Sequence, residues 1–409
     1  MWLIKWYGER NNISEKSEKM KKKVLMAHNF YQIGGGEHTV FNNEVELLRK
    51  NGHEVITYTR DNKEINKSII KKILLPFTTI WSFKTYREVK KIIKNEKIDI
   101  VHCHNTFPLI SPSIYYAARK CNVPIVQTIH NFRFLCPCAL FYRNGKICEE
   151  CLDNNNFKSA LKYKCYRNSW LQTLVVTNML KIHRKLGTYK KINYIFLTEF
   201  NKNKFNKLLG NDYQHLFIKP NFVEKKYDLK RPIELNNTFV FIGRLDENKG
   251  IKELIENWKK LPKEYILHIY GDGTLKGLVE EAINQFQNIK YFGFQPQEVI
   301  FKDLTNSQSL IISSIWYEGF PMIIAESFSL SVPVITVDIG NHATVVKESR
   351  AGEVYSKSDF QSFKRAIESI IKNNKELSHN AIKYYNEKLI SKKNYKELIN
   401  IYEKAKIIK

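Results

Sequence analysis

Three features of the chain predict two doubly wound α/β domains, each a parallel sheet flanked by helices. Short apolar runs alternate with helical patterns from Lys23 to the C-terminus, as parallel βαβ units require. At 409 residues the chain is too long for one ordinary core and suits two domains of about 200 residues each, with a large cleft between them. The alternation is interrupted after Pro220-Asn221-Phe222-Val223 by the polar segment 224–237, which places the domain boundary. The expected units are a polar extension at 1–20, a first domain at 21–222 and a second at 223–409.

Taken in order, the strands of the first domain are expected at 24–28, 54–58, 99–102, 125–130 and 194–197, where apolar and β-branched residues concentrate. Those of the second are expected at 239–243, 265–270, 289–292, 310–313 and 334–337. Met20-Lys21-Lys22-Lys23-Val24-Leu25 reads as a start running into the first strand. The stretch 359–409 is helical in pattern and nearly free of breakers.

The formal net charge is +25, from 66 Lys plus Arg against 41 Asp plus Glu, which favours polyanionic partners such as a phosphorylated substrate, nucleic acid or an anionic membrane. No stretch reaches the roughly 20 apolar residues of a membrane span; 73–83 comes nearest and is interrupted by Pro76. Residues 1–19 lack the apolar core and cleavage site of a signal peptide, so a cytoplasmic location is expected. In 83–97, Lys84, Arg87, Lys90, Lys91, Lys94 and Lys97 surround a stripe of Val89, Ile92 and Ile93. That pattern suits a bilayer surface, and equally a solvated outer helix of an α/β domain.

Four clusters sit where strands end. Gly34-Gly35-Gly36-Glu37 follows the first strand and opens a helix, a place where bare backbone can approach a phosphate, although the spacing fits neither the Rossmann fingerprint nor a P-loop. Gly243-Arg244-Leu245-Asp246-Glu247-Asn248-Lys249-Gly250 puts two cations around a helix start. Gly271-Asp272-Gly273 makes a turn at another strand end. In Glu318-Gly319-Phe320-Pro321-Met322-Ile323-Ile324-Ala325-Glu326 two carboxylates are spaced two helical turns apart across a loop-to-helix entry. In an open parallel sheet all four would face the ligand-binding edge.

In these motifs, and in their order over residues 20 to 400, the sequence resembles the retaining family 4 glycosyltransferases of the GT-B fold. Ser331-Val332-Pro333 departs from the Gly-Thr-Pro common there. The resemblance implies two doubly wound, Rossmann-like domains facing a cleft, with a nucleotide-diphosphate sugar, UDP or GDP, held mainly by the second. It implies that Arg244 and Lys249 hold the diphosphate and offset the charge that grows on it. Glu326 would bond the ribose and Glu318 the sugar. Gly35 and Gly36, Gly243, Gly271 with Asp272, and Gly319-Phe320-Pro321 would line the donor. Glycosyl transfer separates charge towards the leaving phosphate, so fixed cations and helix dipoles suffice and no catalytic cofactor is expected.

His102-Cys103-His104-Asn105 and His130-Asn131 each end an apolar run. The resemblance places His130 beside the donor sugar, and His104 with Asn105 on the acceptor side. Cysteines cluster within an insertion at about 132–168. Cys136, Cys148, Cys151 and Cys165 have the composition of a structural zinc set, with Cys138 spare. A similar insertion occurs in bacterial members linked to surface polysaccharides. The expected activity is therefore sugar transfer to a lipid-linked or growing glycan, at the inner face of the cell membrane and without nucleic acid. The alternatives are a nucleotide-sugar epimerase of the same fold and a basic zinc-knuckle nucleic-acid binder, the latter leaving Glu318 and Glu326 without a role.

Overall fold

The computed structural model of the protein describes residues 21–32, 35–67 and 69–408; the expected extension at 1–20 and Gly34 lie outside them. The first sheet contains β1 (Lys23–Phe30), β2 (Glu54–Asp61), β3 (Ile100–Asn105), β4 (Ile125–Ile129), β7 (Asn193–Phe196) and β8 (Leu216–Ile218). Between β4 and β7 lies a two-stranded antiparallel hairpin, β5 (Tyr142–Arg143) with β6 (Lys146–Ile147). The second sheet contains β9 (Thr238–Ile242), β10 (Ile266–Tyr270), β11 (Ile289–Gly293), β12 (Ser309–Ile312), β13 (Val334–Val337) and β14 (Gly352–Tyr355).

Both six-stranded sheets are parallel, in the orders β2-β1-β3-β4-β7-β8 and β11-β10-β9-β12-β13-β14. β3, β4, β12 and β13 are buried along their whole length, as strands covered on both faces must be. The strand order reverses beside β1 in one sheet and beside β9 in the other, so the loops after β9 and β12 meet at a switch point.

Helix α1 (Gly36–Lys50) buries Val40, Phe41, Val45, Leu47 and Leu48, with acidic Glu37 in its first turn and Arg49 and Lys50 in its last. Helix α2 (Ile69–Ile80) is followed by α3 (Phe83–Glu96), capped by Ser82 Oγ accepting from the Thr85 amide at 3.2 Å. The stripe of α3 does not meet a bilayer: Val89 and Ile93 are buried in the first core, packed beside α4 (Ser113–Lys120). α3 is thus a solvated outer helix with its cations outward. Helix α5 (Trp170–Lys185) packs against α2, and α6 (Met322–Ser329) carries Glu326.

The last helix, α7 (Ser391–Lys404), departs from the expected boundary. It leaves the second domain and buries Leu398, Ile399, Ile401 and Tyr402 against Val24, Met26 and Phe41 of the first. Two chain segments therefore cross between domains, and they bond to each other through the Tyr385 hydroxyl to Val223 O at 3.1 Å and the Val223 amide to Leu389 O at 3.2 Å.

Candidate active site

Lys249 and Glu318, given separate partners by the sequence, are bonded to each other: Lys249 Nζ lies 2.7 Å from Glu318 Oε1. Backbone brings them together. The loops after β9 and β12 are joined by the Ile315 amide to Asn248 O at 3.0 Å and by Ser313 Oγ to Lys249 O at 2.8 Å. Gly250 sits between them at φ +70, where a Cβ would lie 1.9 Å from Ser313 O, so only glycine fits. Ser314 Oγ also donates to Glu318 Oε1, at 2.5 Å. Burial works to raise the Glu318 carboxyl, but Lys249, His342 and Ser314 outweigh it and hold it at about 2.

Arg244, on the same loop as Lys249, faces solvent and is paired with Asp246 at 3.3 Å. Gly271 closes against Gly243 O, where a Cβ would come within 1.9 Å. Asp272 is spent on its own turn, its Oδ1 accepting the Gly273 amide at 2.7 Å. Glu326 accepts from Gln297 Nε2 at 3.0 Å, and burial raises its carboxyl against the pull of Lys226. The Phe320 ring is buried in the second domain's core, and Pro321 immediately precedes α6.

The first domain meets this loop directly. A Cβ on Gly319 would lie 2.0 Å from His130 O, so the donor-side loop abuts the histidine backbone. Gly36 reaches Met322 in the same way, with a Cβ there 3.5 Å from Met322 Cγ. Asn341 fastens the loop, donating to the carbonyls of Glu318 and Gly319 and to Asn201 Oδ1 across the cleft, while Thr198 bonds Asn341.

His130 Nε2 lies 2.9 Å from His104 Nδ1, and His104 Nε2 lies 3.1 Å from Glu44 Oε2, off the line of an ideal hydrogen bond. Burial works to raise the Glu44 carboxyl, but Lys219 and the histidines outweigh it, so Glu44 stays ionised. An ionised Glu44 favours the proton on His104 Nε2, leaving Nδ1 to accept from His130 Nε2–H and His130 Nδ1 as an acceptor. Burial pushes His130 well below the usual histidine range, so it is neutral.

Two acceptor-side expectations change here. His104 is buried behind His130, and both ends of the Asn105 amide are taken by Asn29 O at 2.7 Å and the Phe107 amide at 3.0 Å. Glu44, His102 and His104 are the one trio among the described residues whose ligand atoms lie within 4.8 Å of one another. Lys219 already bonds Glu44, and His102 is held by Tyr402 and Thr128, so two of the three are engaged by groups outside the trio.

The cysteine insertion walls the site. Tyr317, next to Glu318, packs against Phe132, Phe141 and Phe200, and its hydroxyl donates to Glu149 at 2.8 Å. Cys136 and Cys138 are the close pair, with sulfurs 3.3 Å apart. No three cysteine sulfurs among the described residues lie within 4.8 Å of one another, while Cys138, Cys148, Cys151 and Cys165 are near enough that Cys138, Cys148 and Cys151 add to the burial that raises the Cys165 thiol. Sequence reasoning missed Glu37, Glu44, Lys219, Asn201 and Asn341; only Glu37, beside the glycines, stood within a recognised motif.

Residues 33–177 match the family described as Glycosyltransferase Family 4, and residues 225–389 match Glycosyl transferases group 1. An uncharacterised glycosyltransferase of Methanocaldococcus jannaschii is 33% identical over 63% of this chain and 61% of its own length, so the match spans less than two thirds of that relative. The Staphylococcus aureus capsular polysaccharide biosynthesis glycosyltransferase CapM is 24% identical over 88% of this chain and 92% of its own. An Escherichia coli UDP-Gal:α-D-GlcNAc-diphosphoundecaprenol α-1,3-galactosyltransferase is 26% identical, covering 79% of both chains. Among solved structures, the lipopolysaccharide outer core galactosyltransferase WaaB superposes with a TM-score of 0.64 at 17% identity, over 93% of this chain and 99% of that one. Anabaena HepE in complex with UDP gives 0.61 at 12%, over 93% and 100%. With two facing parallel-sheet domains and both halves matched, the chain belongs to the family 4 glycosyltransferases of the GT-B fold.

Proposed function

We propose that the protein is a retaining transferase that moves a sugar from a UDP or GDP donor to a lipid-linked or growing glycan in surface polysaccharide synthesis, working at the inner face of the membrane. The observation that carries this reading is the Lys249–Glu318 pair at the switch point, with the solvent-facing Arg244, paired to Asp246, on the same loop as Lys249. A rigid ammonium there opposes the negative charge that develops as the bond from the anomeric carbon to the diphosphate breaks. Arg244 adds a second cation once it turns inward. Glu326, on α6 facing Thr39 and Asn43 of α1, takes the ribose hydroxyls. His130, neutral, accepts from a sugar hydroxyl through Nδ1. The acceptor oxygen attacks from the face the diphosphate leaves, and its proton passes to a released phosphate oxygen.

The relatives support this reading: CapM is named for capsular polysaccharide biosynthesis, the E. coli relative for a diphosphoundecaprenol-linked acceptor, and HepE binds UDP. The test is nucleotide release from a panel of UDP- and GDP-sugars, with and without lipid-linked acceptors. Lys249→Ala is expected to lower kcat on the best donor by about 100-fold, as loss of one transition-state donor does. Glu326→Ala is expected to act mainly through KM. If both variants match wild type, the assignment of this site is wrong.

A further inference from the structure

The surface of α2 is the reverse of what a soluble domain presents. Ile69, Ile70, Ile73 and Phe77 keep between 66% and 76% of their surface exposed, and Leu74 lies among them. At these spacings they form one face of the helix. Trp170 and Leu171, in the first turn of α5 packed against α2, extend the apolar surface. Exposed apolar side chains scattered singly need no explanation, but a contiguous face of this kind marks a contact surface.

Its charge identifies the partner. Lys71 and Lys72 lie exposed on the same helix. No Asp or Glu occurs between Ile65 and Arg87, or between Asn154 and Thr198, so α2 and α5 carry no acid at all. α2 leads through Trp81 into a cavity of about 1120 Å³ lined by Phe83, Arg87, Lys91, Arg119 and Lys120. Apolar side chains beside unopposed cations match a bilayer with anionic headgroups: the hydrocarbon takes the first and the phosphates the second. A second copy of this chain, docked by two-fold symmetry, would set the same lysines against each other.

We propose that α2, with the first turn of α5, is an interfacial wedge that seats the first domain in an anionic bilayer. The Trp81–Lys120 cavity receives headgroup phosphates. α3, whose apolar stripe is buried, contributes only its outward cations. The inference deepens the proposed membrane-side acceptor and rests on that reading for its purpose, so membrane binding and donor binding are measured separately.

The full chain is sedimented with vesicles of phosphatidylglycerol and phosphatidylcholine, against phosphatidylcholine alone, and its oligomeric state is measured by light scattering. Binding is expected on the anionic vesicles, and Ile70→Ser/Ile73→Ser/Phe77→Ser should reduce it by roughly tenfold or more. Lys71→Glu/Lys72→Glu should weaken it and reduce its dependence on phosphatidylglycerol and salt, the cations of the Trp81–Lys120 cavity keeping the remainder. Because the substituted side chains are exposed, Tm and its rise with UDP or GDP should stay as in wild type. Undiminished sedimentation of the triple variant would overturn the proposal. So would loss of binding only when residues 1–20 are removed, or a wild-type dimer that the triple variant dissolves.

Discussion

Glu37 follows the glycine loop, and its Oε1 is buried without a hydrogen-bond partner, while Oε2 accepts only from Asn131 at 3.3 Å. Burial pushes this carboxyl up to about 8, against the pulls of Asn131 and Arg133. Its folded value thus lies above the 4.5 of the free side chain. The stability it contributes is complete below pH 4.5 and is lost as pH rises through about 8, because ionisation then happens only by charging a buried group. Glu37→Gln should therefore leave Tm nearly unchanged at acid pH and raise it relative to wild type above pH 8. Parallel melting curves for the two proteins across that range would rule the account out. Glu318 runs the other way: held at about 2, it stabilises the fold above the ordinary carboxylate range and ceases to as pH falls towards that value.

At the scale of elements, the loop from Ser313 to Pro321 joins β12 to α6 and is trapped between the domains. Its tightest point is Gly319 against the carbonyl of His130. The backbone there is not in a glycine-only conformation, so Gly319→Ala brings no torsional strain; it brings a methyl group against a main-chain oxygen. The loop must move, and Lys249 and Glu318 move with it. Turnover should fall by about 100-fold, with a small change in Tm, because positioning is more sensitive than folding to a shift of about 1 Å. Wild-type turnover in this variant would show that the contact is dispensable.

What was legible at this scale follows from how local the signal is. Every expected strand is present: inner strands such as β3, β4, β12 and β13 are apolar runs buried along their length, and the edge strands β2 and β11, only partly buried, still carry β-branched and aromatic residues. The edge strands β8 and β14 escaped notice, being three and four residues long and covered on one side. The α3 pattern fixed a helix and its buried stripe, yet periodicity alone does not say whether a core or a bilayer takes the stripe. Lys249, Glu318 and Glu326 were readable because each sits in a strand-end motif. Glu44 and Asn341 were not, since their roles exist only through partners such as Lys219, 175 residues from Glu44, and Asn201, 140 residues from Asn341.

At the scale of the molecule, Lys219 is where the domains are tied. It lies at the end of the first domain, fully buried, and its ammonium bonds Glu44 of α1 and, at 3.2 Å, Asn394 of α7. Asn394 in turn donates to Pro220 O at 2.7 Å, so both crossing segments and the histidine pair share one charge cluster. Lys219→Met strands the Glu44 carboxyl in the interior without its cation and should cost about 3–5 kcal/mol in urea unfolding. Adding Glu44→Leu removes the stranded carboxyl, and most of that loss should return, since an apolar replacement of a buried pair is often neutral. Activity should not return with it. Without Glu44 the proton on His104 is no longer directed to Nε2, and His130 loses the tautomer that leaves Nδ1 open to the sugar. A stable double variant with reduced nucleotide release is the expected outcome. Full recovery of both would mean that the cluster holds the crossing together and has no hold on the cleft.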